Sequence, residues 1–337
     1  MTFGSNDNIV ALAMGDPAGI SPELTARLAA LEELHAEARL VVIGDKRVLD
    51  GGAAVAGLRL EVDVIGADDP WPTGDRPLFI DLRNLDPSKV RRGVAALEGG
   101  RFALENYACA LRLAKAGRAH SVCFTPFNKH AMRLARPGYD DEIAVSAEVI
   151  GTNASASEFN VLGEVWNARV TSHVPLAQVA SLITVERVLR SLGLTHDTMR
   201  AAGFDRPRIA VAGLNPHAGD GGNFGREEID VIAPAVEQAK AAGIAADGPF
   251  SPDTVFLRAK GGACDAVLTM YHDQGQIAMK LMGFERGVTL LGGFPFPICT
   301  PAHGTAYDIA GQGGANVNAS RAAVLLAIAL ARGSARA

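Results

Sequence analysis

The sequence predicts an α/β protein of two domains with largely parallel sheets, and three observations carry that prediction. Short β-branched runs alternate with amphipathic helical stretches along the chain, the pattern of strands joined by crossover helices. The chain has 337 residues, 48% hydrophobic and 20% charged, enough for two domains that each bury a core. Glycine is abundant (37 residues) and aromatics scarce (6%), which suits many tight turns between short elements.

Taken in order, residues 9–14 and 40–43 read as buried strands, as do 122–124, 168–172, 209–213 and 267–270. Ser21-Pro22-Glu23 reads as a helix start, with Ser21 as cap, proline at the first helical position and an acid behind it. Residues 102–114 carry apolar side chains at helical spacing, and Gly117 ends them. Residues 185–192 do the same, with Gly193 as the terminator. The apolar run 322–331 is too short to span a bilayer and reads as a buried terminal helix. No Pro- or Ser-rich linker is visible, so the domain crossings are placed at Thr125-Pro126-Phe127-Asn128 and at 295–301. The expected division is 1–127 with 298–337 as a discontinuous first domain, and 128–297 as the second.

The net charge of −5, with no basic block, argues against nucleic acid as a partner. Cys109, Cys123, Cys264 and Cys299 are widely spaced and read as free thiols in a reducing compartment. With no signal-peptide pattern and no membrane-length apolar run, the expectation is a cytoplasmic chain that does not touch a membrane.

The polar residues of interest cluster behind strands. His173 follows 168–172, His217 follows 209–213 in Leu214-Asn215-Pro216-His217-Ala218-Gly219, and His272 follows 267–270 in Tyr271-His272-Asp273-Gln274-Gly275. Ligands of open α/β sheets bind at the carboxyl ends of strands. A single histidine there most often hydrogen-bonds loop backbone; three of them suggest a divalent metal site with an open position. Lys280 would serve proton transfer or hold an anion if it lies near such a metal, and otherwise is a surface lysine. Asp253 would orient a substrate group or cap a helix. Asn128-Lys129 would contact substrate or cofactor, or form a solvated turn. The glycine-rich Gly219-Asp220-Gly221-Gly222-Asn223-Phe224-Gly225 is not GxGxxG, and no Walker A loop is present, which disfavours an ordinary Rossmann site.

Several of these segments together resemble the PdxA family, the 4-hydroxythreonine-4-phosphate dehydrogenases. They are Met14-Gly15-Asp16-Pro17-Ala18-Gly19-Ile20-Ser21-Pro22-Glu23, Thr125-Pro126-Phe127-Asn128-Lys129, 214–219, 271–275, and His303-Gly304-Thr305-Ala306-Tyr307-Asp308-Ile309-Ala310-Gly311. They occur in family order. The resemblance implies an isocitrate/isopropylmalate-dehydrogenase-like fold and a homodimer whose site is shared between subunits. It implies a divalent metal (zinc, or magnesium, manganese or cobalt) held by His173 and His217 of one subunit and His272 of the other. It places Lys280, Asp253 and Asn128 near the substrate. His303, Gly304, Thr305, Ala306 and Asp308, with Asn316, resemble an adenosine-binding segment, in which Asp308 would favour NAD over a 2′-phosphorylated cofactor. The implied reaction is oxidation of a small hydroxy acid, followed by decarboxylation.

The sequence departs from the family where the substrate phosphate is bound. Asp141-Glu142-Ile143-Ala144 stands where the family has Gly-His-Thr-Glu, and Thr289 and Ile298 stand at its Asn and Arg. Ala302 replaces an aspartate. Only Lys280 of the phosphate set remains. Each lost charged hydrogen bond is worth about 1.5–3 kcal/mol, so the expected substrate is an unphosphorylated hydroxy acid. A sugar-derived acid fits, as does a dihydrodiol carboxylate of the kind taken by terephthalate dihydrodiol dehydrogenases, which resemble this family. The alternatives are a genuine enzyme of vitamin B6 (pyridoxine) biosynthesis with a rearranged phosphate pocket, and a non-catalytic protein that binds a small acid or nucleotide.

Overall fold

The computed structural model describes residues 8–334 apart from 75, 154 and 164. The chain begins β1 (Ile9–Ala13), α1 (Ser21–Ala29), α2 (Glu32–Glu37), β2 (Arg39–Gly44), α3 (Lys46–Ala56), β3 (Asp63–Ile65), β4 (Leu78–Asp81), α4 (Leu97–Lys115), β5 (Ser121–Phe124), α5 (Lys129–Ala135) and α6 (Glu142–Ile150). It continues β6 (Ser157–Leu162), β7 (Val165–Arg169), α7 (Leu176–Leu182), α8 (Val185–Ala201), β8 (Ile209–Ala212), α9 (Ala233–Ala241), β9 (Ala246–Phe250), α10 (Val255–Lys260), β10 (Ala266–Thr269), α11 (His272–Gly283) and β11 (Val288–Gly292), and closes with β12 (Ile298–Pro301) and α12 (Asn318–Ser334). It forms two compact units, Met1–Ala154 with Phe294–Arg336, and Ser155–Gly293.

The first unit carries six strands in the order β3-β4-β2-β1-β5-β12, every pair parallel. Apart from the edge strand β3, its strands are largely buried on both faces, with Val10, Leu12, Leu40, Val41, Val42, Phe79 and Ile80 among the inaccessible side chains, as parallel sheets covered by helices require. The stretch 128–154, which the sequence assigns to the second domain, packs on this unit. Gly100 lets α4 approach the α5 backbone, where a Cβ would stand 2.0 Å from the carbonyl oxygen of Ala131. The Tyr107 hydroxyl on α4 lies 2.6 Å from Ser146 Oγ on α6.

The second unit carries β11-β6-β7-β10-β8-β9. The pairs β11/β6 and β6/β7 are antiparallel, and the remaining pairs are parallel. Trp166 packs edge-on between Phe159 and Phe204 at the heart of the antiparallel end.

Two helix boundaries differ from the sequence reading. Ser21 lies inside α1, and its hydroxyl donates to the carbonyl of Pro126 at 2.7 Å; Ile20 is the capping residue. Gly193 does not end a helix: α8 runs on to Ala201 because Thr195 and Met199 are buried beyond it, and that burial outweighs the ~1 kcal/mol cost of an interior glycine. The stop is Gly203, at φ +93°. All four cysteines are free. Among the described residues no helix is long and apolar enough to cross a membrane.

Candidate functional site

In the second unit, β7, β10 and β8 lie side by side and parallel. Their carboxyl ends deliver His173, His272 and His217 in that spatial order. The rings of His173 and His272 have centroids 5.5 Å apart. His272 Nδ1 is 2.6 Å from the Asp273 carboxylate. A carboxylate only accepts, so Nδ1 carries a proton, which in the neutral ring leaves Nε2 with its lone pair, the form a metal ligand needs. His217 lines a cavity of 450 Å³ together with Asp253, Tyr271 and Gln274. Gln274 fixes that wall: its Oε1 accepts from Met270 N at 2.7 Å and its Nε2 donates to the Gly213 carbonyl at 2.8 Å.

Asp253 accepts from Ser251 Oγ at 2.6 Å. That hydrogen bond, with the nearby charge of His217, holds its carboxyl below the usual carboxylate range. Asp253 does not cap α10, whose cap position is Thr254. Lys280 is exposed on α11, eight residues beyond His272, roughly 12 Å along the helix axis. Among the described residues no three His, Cys, Asp or Glu side chains gather closely enough within one chain to hold a metal. The chain presents the expected ligands as a His173–His272 pair and a His217–Asp253 wall. In donor type, imidazole nitrogens with carboxylate support, these residues fit a divalent metal.

Two of the three histidines sit in left-handed backbone, His173 at φ +50° and His217 at φ +53°. His217 opens a run in which Ala218, Gly219, Asp220 and Gly221 all share positive φ, a left-handed turn over Pro216–Gly222. Each non-glycine residue there costs roughly 1–2 kcal/mol, and strain of this kind gathers at functional sites. The turn is braced by Glu228, which is 2% exposed. Its Oε1 accepts from the backbone N–H groups of Leu214 and Asn215, each at 2.7 Å, and its Oε2 accepts from Asn215 Nδ2 at 3.0 Å. Gly219 is obligatory in this arrangement: it has φ +81°, and a Cβ would stand 2.7 Å from Glu228 Oε2. Glu228 opens a π-helical turn, Glu228–Ile232, in which Ala233 N–H donates to the Glu228 carbonyl. Pro234, just inside α9, has no N–H to offer the usual i−4 partner. The sequence reading missed Glu228; the available signal was an acid pair, Glu227-Glu228, shortly after a glycine-rich loop.

The first unit brings together a different set. Asn128 caps α5, its Oδ1 accepting from Ala131 N at 3.0 Å. Glu142 stands in the first turn of α6, behind the cap Asp141. Its Oε1 accepts from the Tyr139 hydroxyl at 2.7 Å, and Lys129 Nζ lies 3.9 Å from Oε2. Burial, together with the Glu142 charge, raises the Tyr139 hydroxyl far above its ordinary pKa, so it stays a donor. Ile143 follows Glu142, half-buried. Ile298 is fully buried in β12, in register with Val122; it is a core residue, not one that lines a ligand site. Thr289, in the second unit, pairs with Asn160 across β11 and β6, and Asn160 Nδ2 donates to its hydroxyl at 3.5 Å.

The loop after β1 welds neighbouring loops of the first unit. Gly15 presses on residue 125, where a Cβ would meet the Thr125 carbonyl oxygen at 2.2 Å. Asp16 N donates to the Pro126 carbonyl and Ile20 N to the Thr305 carbonyl. The Tyr307 hydroxyl donates to the buried Asp16 carboxylate. These bonds fix the segment that holds His303, Gly304, Thr305, Ala306 and Asp308. Ala306 is left-handed at φ +43°. His303 Nδ1 engages the Gly304 carbonyl, while its Nε2 is buried without a partner among the described residues. The Asp308 carbonyl accepts from Gln312, and Asn316 Oδ1 accepts from Asn318 N at the start of α12.

A sequence model of the family described as Pyridoxal phosphate biosynthetic protein PdxA matches residues 36–327. A Rhizobium meliloti protein named "Putative 4-hydroxythreonine-4-phosphate dehydrogenase 2" is 59% identical over 325 residues, covering 96% of this chain and 93% of that protein. The solved 4-hydroxythreonine-4-phosphate dehydrogenase from Klebsiella pneumoniae is 34% identical, with a TM-score of 0.83 over 97% of this chain and 100% of that one. A terephthalate 1,2-cis-dihydrodiol dehydrogenase from Burkholderia xenovorans is 26% identical, with a TM-score of 0.67 over 96% of this chain and 98% of that one. On the extent of these matches, the chain belongs to the PdxA family of dehydrogenases.

Proposed function

We propose that this chain oxidises, and then decarboxylates, a small hydroxy acid that carries no phosphate, using a divalent metal and NAD. The observation that carries the reading is Glu142. A carboxylate pinned by Tyr139 in the first turn of α6 stands where the family resemblance calls for a phosphate donor, and Ile298 is withdrawn into the core. A fixed negative charge repels a phosphate dianion and accepts from a hydroxyl or an amine.

The roles of the residues follow from their surroundings. His173 and His217 of one subunit and His272 of the other would hold the metal, which when bound supplies Lewis acidity toward the substrate hydroxyl. Asp273 keeps His272 in the tautomer that ligation needs. Asp253, whose carboxyl the Ser251 hydroxyl holds below the usual carboxylate range, accepts a hydrogen bond from the substrate and orients it. Lys280 is assigned the proton transfer, and Asn128 a polar contact to substrate. His303, Gly304, Thr305, Ala306, Asp308 and Asn316 hold the adenosine end of the dinucleotide; the orphaned Nε2 of His303 suits a ligand acceptor or donor. The protein acts as a homodimer, in the cytoplasm, without nucleic acid or membrane.

The names of the relatives favour a second reading, a 4-hydroxythreonine-4-phosphate dehydrogenase with a rearranged phosphate pocket. The two readings separate on NADH formation with zinc, manganese or magnesium present, comparing 4-phosphohydroxythreonine with unphosphorylated hydroxy acids and dihydrodiol carboxylates. We expect turnover only of unphosphorylated acids. Efficient turnover of the phosphorylated compound would remove the first reading and leave the second.

A further inference from the structure

We infer that Glu228 is a positioning residue for the metal centre, acting through His217. This rests on the proposed role of His217 as a ligand. The backbone of residues 217–221 is left-handed throughout, a conformation that L-residues do not hold unaided, so something outside the turn must define it. Glu228 is the group placed to do so. It is 2% exposed, and its carboxylate gathers the N–H groups of Leu214 and Asn215 on one oxygen and the Asn215 amide on the other. Leu214 and Asn215 are the residues through which the chain leaves β8 on its way to His217. The carboxylate also fills the space beside Gly213 and Gly219, where added Cβ atoms would stand 3.0 and 2.7 Å from its oxygens. The acid therefore holds the approach to the turn and its middle, and sets the direction from which the imidazole enters the cavity it shares with Asp253. Glu228 contacts no reacting atom. It serves the site by fixing where one ligand stands, and a neutral side chain of the same shape would set an amide donor against the Asn215 amide.

The test uses the full chain and the metal alone as probe. Cobalt(II) and zinc(II) affinities of the wild type, His217→Ala and Glu228→Gln are measured by competition with a chelating dye, and the visible spectrum of each cobalt-saturated protein is recorded. Glu228→Gln should weaken binding by about 10- to 100-fold, the range for loss of a supporting contact behind a ligand, and its cobalt spectrum should shift toward that of His217→Ala. A purely structural role would lower the melting temperature and leave the saturated spectrum unchanged. If Glu228→Gln does not fold, Glu228→Asp decides, because the shorter side chain keeps the charge and draws the carboxylate back from the Leu214 and Asn215 N–H groups. Wild-type affinity and spectrum in the folded variant, with His217→Ala impaired, would overturn the positioning role and leave the metal reading standing. Wild-type binding by His217→Ala would overturn both.

Discussion

Asp16 shows how one side chain can tie local chemistry to stability. It is 1% exposed, and burial raises its carboxyl above the ordinary value of 3.8, against the hydrogen bonds from Tyr307 and Ala18 that pull it down. A carboxyl whose folded pKa is raised contributes stability that is fully present below its unfolded pKa and lost as pH rises through the folded one. Asp16→Asn keeps an acceptor for the Ala18 N–H, turns an amide donor toward the Tyr307 oxygen, and has no charge to bury. Its stability relative to wild type is therefore expected to improve as pH rises from below 3.8 through the raised value of the folded carboxyl. Denaturation midpoints of the two proteins across that range check this, and a constant difference would refute it. Neither the burial of Asp16 nor its Tyr307 partner was legible in the sequence, because residues 16 and 307 meet only through the fold. What was legible was that a Gly-Asp-Pro loop follows a strand. Ile298 makes the opposite point: sequence alignment offered it as a substrate contact, and the register of β12 on β5 turned it inward.

At the scale of elements, the left-handed turn after β8 is the least expected feature and the most consequential. Helix and strand positions follow from periodicity, and the strands at 9–14, 40–43, 122–124, 209–213 and 267–270 were all readable. The strands β3, β4, β6, β9, β11 and β12 were not read, and β7 was placed late, at 168–172, because polar, proline or glycine residues interrupt the apolar runs in most of them. The turn escaped for another reason. Its proline and glycines announced a loop but not its handedness, which depends on Glu228 arriving from a later helix. Ala218 pays for that handedness with its methyl group, at φ +51° and ψ +44°. Ala218→Gly should raise stability by about 0.5–1 kcal/mol, the left-handed penalty relieved less the entropy glycine loses. A denaturant titration showing the variant less stable than wild type would mean that the methyl group packs usefully.

For the molecule as a whole, the two units follow the architecture of the family. The stretch 128–154 goes with the first unit through the contacts that α5 and α6 make with α4. Cofactor choice is an argument at this scale, since the 303–316 segment is held by contacts to the loop after β1 and leads into α12. Asp308→Ala should lower the preference for NAD over NADP, read as the ratio of kcat/KM values; an unchanged ratio would place the ribose elsewhere. The position of β12 has a further bearing on how the protein is made. β5 is buried along its whole length, and one of its edges is satisfied only by a strand that follows the entire second unit. During synthesis that edge must wait, apolar and unpaired, while well over a hundred further residues emerge. The nascent first unit is thus exposed to mispairing with other chains, and its yield in the cell should depend on chaperone supply more than its final stability would suggest.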